Sequence, residues 1–163
     1  MSMASDASVR LDLVVNGQGL SVEVAPNESL AYVLRTRLGL TGTKVSCDVQ
    51  VCGACTVLVD GLPVSACTYL AYESRGRDVM TVEGLSEEDG TLTPMQRAFI
   101  QDNAFQCGFC TSGMLLAAEA WSRDVEAGEP VEDLLEYMAG NICRCTGYVP
   151  IVAAALRALD GQV

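Results

Sequence analysis

The 163-residue sequence contains no histidine. Without an imidazole the chain cannot form a Rieske-type site, a zinc site that uses histidine, or a histidine-based acid–base pair. Basic residues are also scarce, because 10 Lys and Arg stand against 21 Asp and Glu and leave a formal net charge of −11. Nucleic-acid-binding proteins present a basic stripe, so this composition disfavours that class.

Long apolar runs are missing as well. Runs such as Ile151–Leu156 are far shorter than the roughly 20 residues of a membrane-spanning helix. The segment Met1–Arg10 has no basic stretch followed by an apolar one, so no secretory signal is predicted. We therefore expect a cytoplasmic protein, in which clustered cysteines bind metal or carry out redox chemistry more often than they form disulfides.

The first half of the chain predicts a small sheet around one helix. Apolar residues alternate along two segments separated by Asn16-Gly17-Gln18-Gly19, a hairpin signal. Pro26-Asn27 is expected to cap a helix over residues 28–38, with Gly39 ending it. Further strands are predicted at Thr56–Val59 and Leu62–Ala66, on either side of a turn at Asp60-Gly61, and at Val79–Val82.

The second half predicts four short helices after a polar linker at Gly84–Thr93. The sequence Thr93-Pro94-Met95-Gln96 combines a cap, a proline at the first helical position and a capping-box glutamine. Three more apolar stripes follow, and their members are Met114, Ala117, Ala118, Trp121 and Val125; Val131, Leu134, Leu135 and Met138; and Ile151, Ala155, Leu156 and Leu159. The sequence thus predicts an α+β protein that ends in a compact helical bundle.

Eight cysteines form two groups. Cys47, Cys52 and Cys55 have the plant-type CxxxxC-xx-C spacing of a [2Fe–2S] cluster, and Cys67 follows the hairpin as a distant fourth ligand. Thiolates suit this cluster because they are soft and anionic. A zinc site and free or paired thiols are the alternatives, although zinc sites usually pair two CxxC knuckles.

The second group is less specific when it is considered alone. It combines a CxxC pair, Cys107 and Cys110, with a CxC pair, Cys143 and Cys145. Four cysteines at helix ends could hold zinc. CxC is too short for an easy tetrahedral zinc knuckle, but it can present two thiolates to one iron.

Three segments together resemble the small iron–sulfur subunit of the molybdenum hydroxylases. They are LRTRLGLTGTKVSCDVQVCGACTVLVDG, QCGFCTSGM and GNICRCTGY, and the resemblance extends over about residues 9–159. This family includes xanthine dehydrogenase, aldehyde oxidoreductase, carbon monoxide dehydrogenase and N-heterocycle dehydrogenases. The combination of a plant-type loop with a later CxxC and CxC pair is found in few other proteins.

The resemblance implies two domains and two [2Fe–2S] clusters. Residues 1–83 would form a plant-ferredoxin-like β-grasp domain, and residues 84–163 a four-helix bundle. The first domain would bind its cluster through Cys47, Cys52, Cys55 and Cys67. The second would use Cys107, Cys110, Cys143 and Cys145.

The resemblance also implies a role within a larger enzyme. In the family, a large subunit carries molybdenum on a pterin cofactor and oxidises the substrate with oxygen derived from water, and a medium subunit carries FAD. The small subunit transfers electrons between them, and a dimer of such heterotrimers is expected. The positions that lie against the pterin in the family correspond to Gln106 and Cys145. The C-terminal cluster should therefore receive electrons first and the N-terminal cluster should face the flavin subunit.

Two other functions remain open, a free-standing two-cluster ferredoxin and a zinc-stabilised interaction protein. The chain also departs from the family pattern at three positions. Ser46 and Gln50 stand where the family usually has glycine, and Ser112 where it usually has proline. None of these changes removes a ligand. If the glycine replaced by Gln50 has a positive φ, Gln50 should adopt a left-handed conformation at a cost of about 1–2 kcal/mol.

Overall fold

The computed structural model describes residues 8–87 and 89–163. The first part of this chain is dominated by strands and the second by helices, as the sequence predicts. No helix in the described ranges is long and apolar enough to span a lipid bilayer.

A five-stranded mixed sheet forms the N-terminal part. Strands β1 (Val9–Val15), β2 (Gln18–Val24), β3 (Thr56–Val59), β4 (Leu62–Ser65) and β5 (Asp78–Met80) lie in the order β2-β1-β5-β3-β4. Strand β5 runs parallel to β1 and antiparallel to β3, while the two outer pairs are antiparallel hairpins. The predicted turns at Asn16-Gly17 and Asp60-Gly61 are confirmed, since all four residues have positive φ. Strand β5 begins one residue earlier than predicted, and Val82 belongs to a short 3₁₀ helix, Val82–Gly84.

The helix held by this sheet differs in detail from the predicted one. Helix α1 (Leu30–Tyr32) begins after Ser29, whose side chain accepts a hydrogen bond from the Tyr32 N–H, so the predicted Pro26-Asn27 cap is wrong. The chain continues as a π-helical segment, Val33–Arg37. A π-helix changes the residues per turn, yet Leu30, Val33 and Leu34 are still completely buried against the sheet.

Four helices make up the C-terminal part of the described chain: α2 (Pro94–Gln101), α3 (Thr111–Glu126), α4 (Leu134–Tyr137) and α5 (Tyr148–Leu159). The capping box of Thr93 and Gln96 is present at the start of α2. Helix α4 has only one turn, and Leu135 and Leu156 are exposed, so their predicted core positions are wrong. Trp121 is buried, and its indole N–H donates to the Glu132 carbonyl.

Each of the two parts has its own hydrophobic core, and a third, smaller hydrophobic cluster lies where the two parts meet. One core lies under the sheet and another inside the bundle. Leu58 of β3 packs with Leu116 and Ala120 of α3 between them. The sheet therefore rests directly on the longest helix, and this contact fixes where the cysteine-containing loops of the two parts meet.

Candidate metal centres

The first cysteine group lies on the loop between α1 and β3 and at the end of β4. Cys55 and Cys67 are buried, whereas Cys47 and Cys52 are partly exposed. The Ala66 N–H donates to the Cys55 carbonyl, which holds the end of β4 beside the loop. The four thiols predicted as ligands are therefore brought together by the β3–β4 hairpin and the loop that precedes it.

The loop turns through several left-handed residues. Asp48 has φ +57°, Gln50 φ +60° and Gly53 φ +66°. The prediction for Gln50 is confirmed, and its side-chain oxygen accepts a hydrogen bond of 3.0 Å from the Thr68 hydroxyl. This bond connects the ligand loop to the residue that follows Cys67.

Backbone N–H groups point at sulfur in this group. The N–H of Val51 lies 3.3 Å from Cys47 Sγ. Hydrogen bonds from the backbone of Val49, Val51 and Cys52 lower the pKa of Cys47 to about 6. Burial instead raises the pKa of Cys55 to about 12. The neighbouring thiols of Cys67 and Cys52 also raise it, whereas a backbone hydrogen bond from Cys67 lowers it. The amides at Cys47 stabilise negative charge on sulfur, which metal binding requires.

The second group joins two loops that are far apart in the sequence. Cys107 and Cys110 lie between α2 and α3, and Cys143 and Cys145 lie between α4 and α5. Cys143 is buried, and its Sγ accepts a hydrogen bond of 3.4 Å from the Gly147 N–H. Burial, followed by the neighbouring Cys143 and Cys107, raises the pKa of Cys110 to about 12.

The remaining two thiols of this group also meet. The backbone N–H of Phe109 and then the side chain of Cys145 lower the pKa of Cys107. Beside them, the Gln106 side-chain N–H donates to the Cys145 carbonyl at 3.2 Å. The two residues that match the family's pterin contacts are therefore neighbours, at an exposed edge of the bundle.

Each group offers the four free thiols that a [2Fe–2S] cluster requires. Such a cluster places two thiolates on each of two irons, so that its four sulfurs surround two points. All eight cysteines are free, and backbone donors already face Sγ in each group.

A direct contact joins the two groups. The Ile142 N–H, next to Cys143, donates to the Cys52 carbonyl at 2.9 Å. The Asn141 side chain donates to the Gly53 carbonyl at 3.1 Å and to the Thr56 hydroxyl at 3.2 Å. Cys52 of the first group is therefore hydrogen-bonded to the residue next to Cys143 of the second group.

The residues that make this contact are not predicted from the sequence. Asn141 lies two residues before Cys143 and Gly53 follows Cys52, but nothing in their spacing indicates that they meet. Arg35 is not predicted either, and it donates to the carbonyls of Thr41 and Thr43, just before the loop that carries Cys47. Only the polar character of Asn141 within an apolar segment could have marked it as a buried hydrogen-bonding residue.

Family comparisons identify both halves of the chain. Residues 13–79 match the 2Fe-2S iron-sulfur cluster binding domain, and residues 81–156 match the [2Fe-2S] binding domain. The nicotine 6-hydroxylase small subunit of Paenarthrobacter nicotinovorans is 46% identical over 155 residues, which cover 95% of this chain and 92% of the relative. Both matching domains bind [2Fe–2S] clusters, so the zinc alternative has no support.

Solved structures give the same result. Quinoline 2-oxidoreductase from Pseudomonas putida 86 superposes with a TM-score of 0.83 at 42% identity, covering 96% of this chain and 99% of that one. The aldehyde oxidoreductase from Desulfovibrio desulfuricans ATCC 27774 gives a TM-score of 0.85 at 41% identity, covering 94% of this chain but 17% of that longer one. With two cluster-binding domains and close relatives over nearly its whole length, the chain belongs to the family of [2Fe–2S] iron–sulfur subunits of the molybdenum hydroxylases.

Proposed function

We propose that this chain is the electron-transfer subunit of a multi-subunit molybdenum hydroxylase. It would relay electrons from a molybdopterin centre in a large subunit to FAD in a medium subunit. The observation that carries this proposal is the pair of four-cysteine groups joined by the Ile142–Cys52 hydrogen bond. A [2Fe–2S] cluster held by each group would supply reversible one-electron chemistry. Substrate oxidation would take place in the large subunit, so this chain would not be catalytic alone.

We assign the cluster ligands from the cysteine spacing and from the resemblance to the family, and the grouping of the thiols in the fold supports the assignment. Cys47, Cys52, Cys55 and Cys67 would hold the N-terminal cluster, and Cys107, Cys110, Cys143 and Cys145 the C-terminal one. The backbone N–H groups of Val51 and Gly147 would compensate negative charge on the ligand sulfurs. We place the domain boundary between residues 83 and 84, inside the 3₁₀ helix that connects the two cores.

The proposed order of the relay rests on the resemblance, since the positions of Gln106 and Cys145 lie against the pterin in the family. The Gln106 side chain donates to the Cys145 carbonyl at the exposed edge of the second group, which supports this order. The C-terminal group would then face molybdenum and the N-terminal group would face the flavin subunit. The exposed loop around Asp48 and Val49 is available for that second contact.

Exposed apolar residues lie beside both cysteine groups, which supports the proposal that each group faces a partner subunit. Val49 and Val51 are 63% and 58% exposed beside the first group. Phe105, Phe109 and Val149 are exposed around the second, Val149 to 82%. Several exposed apolar side chains beside each group favour a protein interface at each of these places. We propose a dimer of heterotrimers located in the cytoplasm, where free cysteines are maintained.

Composition of the native complex tests this function. The chain would be purified through an affinity tag from cells that express it naturally, then analysed by gel filtration and metal determination. We expect about four irons per chain in a large complex with molybdenum and flavin. Four irons in a monomer would instead establish a free ferredoxin, and zinc in place of iron would overturn the assignment.

A Cys47→Ser variant tests the relay order. Nicotine, quinoline and an aldehyde appear in the names of the relatives, and they would be screened as probes. The probe chosen would be one that reduces the wild-type complex, seen as a loss of its visible absorbance. In the variant, that probe should still reduce the C-terminal cluster, as seen by rapid-freeze EPR, while flavin stays oxidised. Flavin reduction at the wild-type rate without an N-terminal cluster signal would show that the order is wrong.

A further inference from the structure

Asn141 is a polar residue buried between the two cysteine groups, with 9% of its surface exposed. Its side-chain amide donates to the carbonyl of Gly53 and to the hydroxyl of Thr56, and that hydroxyl itself donates to the Gly53 carbonyl at 2.8 Å. The Gly53 carbonyl also accepts from the Thr56 N–H at 3.1 Å, so removal of the Asn141 amide would leave that carbonyl hydrogen-bonded but would remove the side-chain hydrogen bonds between the two loops. One side chain thus ties Asn141, two residues before Cys143, to the residue that follows Cys52.

The backbones approach unusually closely around this amide. A Cβ atom at Gly53 would lie 2.6 Å from the Gly140 carbonyl and 2.8 Å from Asn141 Cα. A Cβ atom at Gly113, in the first turn of α3, would lie 2.3 Å from the Gly53 oxygen. The first ligand loop is therefore enclosed by two segments of the second domain, and little space is left for the loops to shift.

We propose that Asn141 is a positioning residue for the electron relay. Its amide fixes the loop of the N-terminal cysteine group against the loop of the C-terminal group, and so sets the coupling between the two clusters. Asn141 touches neither the substrate nor a ligand sulfur, and it acts through the backbone of Gly53 and Thr56. This inference rests on the proposed function, because it requires both clusters to be bound.

The test uses the full native complex reduced with dithionite, so that both clusters are paramagnetic. Asn141→Leu keeps a side chain of similar size but removes the donor. We expect it to retain the wild-type iron content and to lose the spin–spin splitting between the two cluster signals in low-temperature EPR. Wild-type splitting in a variant with full iron would overturn the inference. A wild-type complex that lacks iron would overturn the proposed function instead.

Substitutions at Thr56 keep the inference testable if Asn141→Leu fails to fold. Thr56→Val removes the hydroxyl that accepts from Asn141, whereas Thr56→Ser retains it and should restore the wild-type splitting. Thr43→Val is the matched control, because Thr43 is equally buried and its hydroxyl has no hydrogen-bond partner among the described residues. Reduced splitting in Thr56→Val alone supports the inference. The same loss in Thr43→Val, or no change in Thr56→Val, contradicts it.

Discussion

The two cysteine groups of this chain are built in different ways. In the first, three thiols lie on one loop of nine residues, Cys47–Cys55, and the hairpin after it supplies the fourth. In the second, two short loops that are distant in the sequence, one between α2 and α3 and one between α4 and α5, meet through the packing of the helical bundle. Local sequence therefore specifies the first group, whereas the second depends on the tertiary fold.

The difference extends to the source of rigidity. Both groups contain left-handed residues and a backbone N–H that faces sulfur, but only the first loop is supported by a five-stranded sheet. The second group lies among short elements, since α4 has only one turn and residues 138–147 contain no regular helix. A bound cluster should therefore contribute more to the order of the second region than to that of the first.

The largest expected effect comes from removing one ligand of each group. Cys143→Ser should lose about two irons per chain and also destabilise the bundle, because Cys143 is buried in its core and accepts the Gly147 N–H. Cys47→Ser should lose the same amount of iron while the sheet stays intact. Limited proteolysis with mass spectrometry would measure this, with new cleavage expected near residues 138–147 only in Cys143→Ser. Identical cleavage patterns would contradict the comparison.

The contact between the two regions gives the next effect. Gly113→Ala should destabilise the protein by about 1–3 kcal/mol, because its Cβ would lie 2.3 Å from the Gly53 carbonyl oxygen. Helix propensity alone predicts the opposite sign, since alanine is favoured over glycine within a helix. Gly140→Ala is the control, with no atom within 4 Å of the added Cβ. Thermal unfolding would compare them, and equal melting temperatures would refute the close contact.

These contacts also mark where sequence-based prediction succeeded and where it failed. The hairpin turns and the capping box of Thr93 were predictable because they depend on neighbouring residues. The first cysteine group was predictable for the same reason. The π-helical segment after Tyr32 and the pairing of Asn141 with Gly53 were not, because they arise from packing between distant segments. Motif resemblance, rather than periodicity, predicted how the second group would assemble.

A partly buried carboxyl in the bundle, that of Glu119, gives a pH-dependent effect that is smaller still. Burial raises the pKa of Glu119 above its ordinary value of 4.5, although the Thr93 hydroxyl opposes the shift. The folded state then binds the proton more tightly than the unfolded state. The free energy of unfolding should therefore fall as pH rises from the unfolded pKa through the folded one. Glu119→Gln removes this fall and should be more stable than wild type at about pH 7, with little difference at about pH 4.

A second partly buried carboxyl, that of Glu28 in the N-terminal region, provides the opposite case, and its side chain is 15% exposed. The hydrogen bond from Arg37 lowers the pKa of Glu28 below 4.5. This interaction is present above the unfolded pKa and is lost as pH falls through the folded value, so Glu28→Gln should destabilise the protein near neutral pH. Melting temperatures of both variants across this range provide the measurement. Parallel pH profiles for the two variants would contradict the assigned environments.

The smallest effect concerns the Gln50–Thr68 hydrogen bond that closes the first loop. Gln50→Gly alone is ambiguous, because it removes this bond but also relieves about 1–2 kcal/mol of left-handed strain. A double-mutant cycle with Thr68→Val separates the two contributions. We expect a coupling of about 0.5–1.5 kcal/mol in the free energy of unfolding, and Thr68→Val should accelerate iron release to a chelator only when Gln50 is present. Asp48→Gly relieves comparable strain at φ +57° without removing the Gln50–Thr68 bond, so it should not accelerate iron release. Zero coupling, or equal acceleration by Asp48→Gly, would mean that loop conformation alone retains the N-terminal cluster.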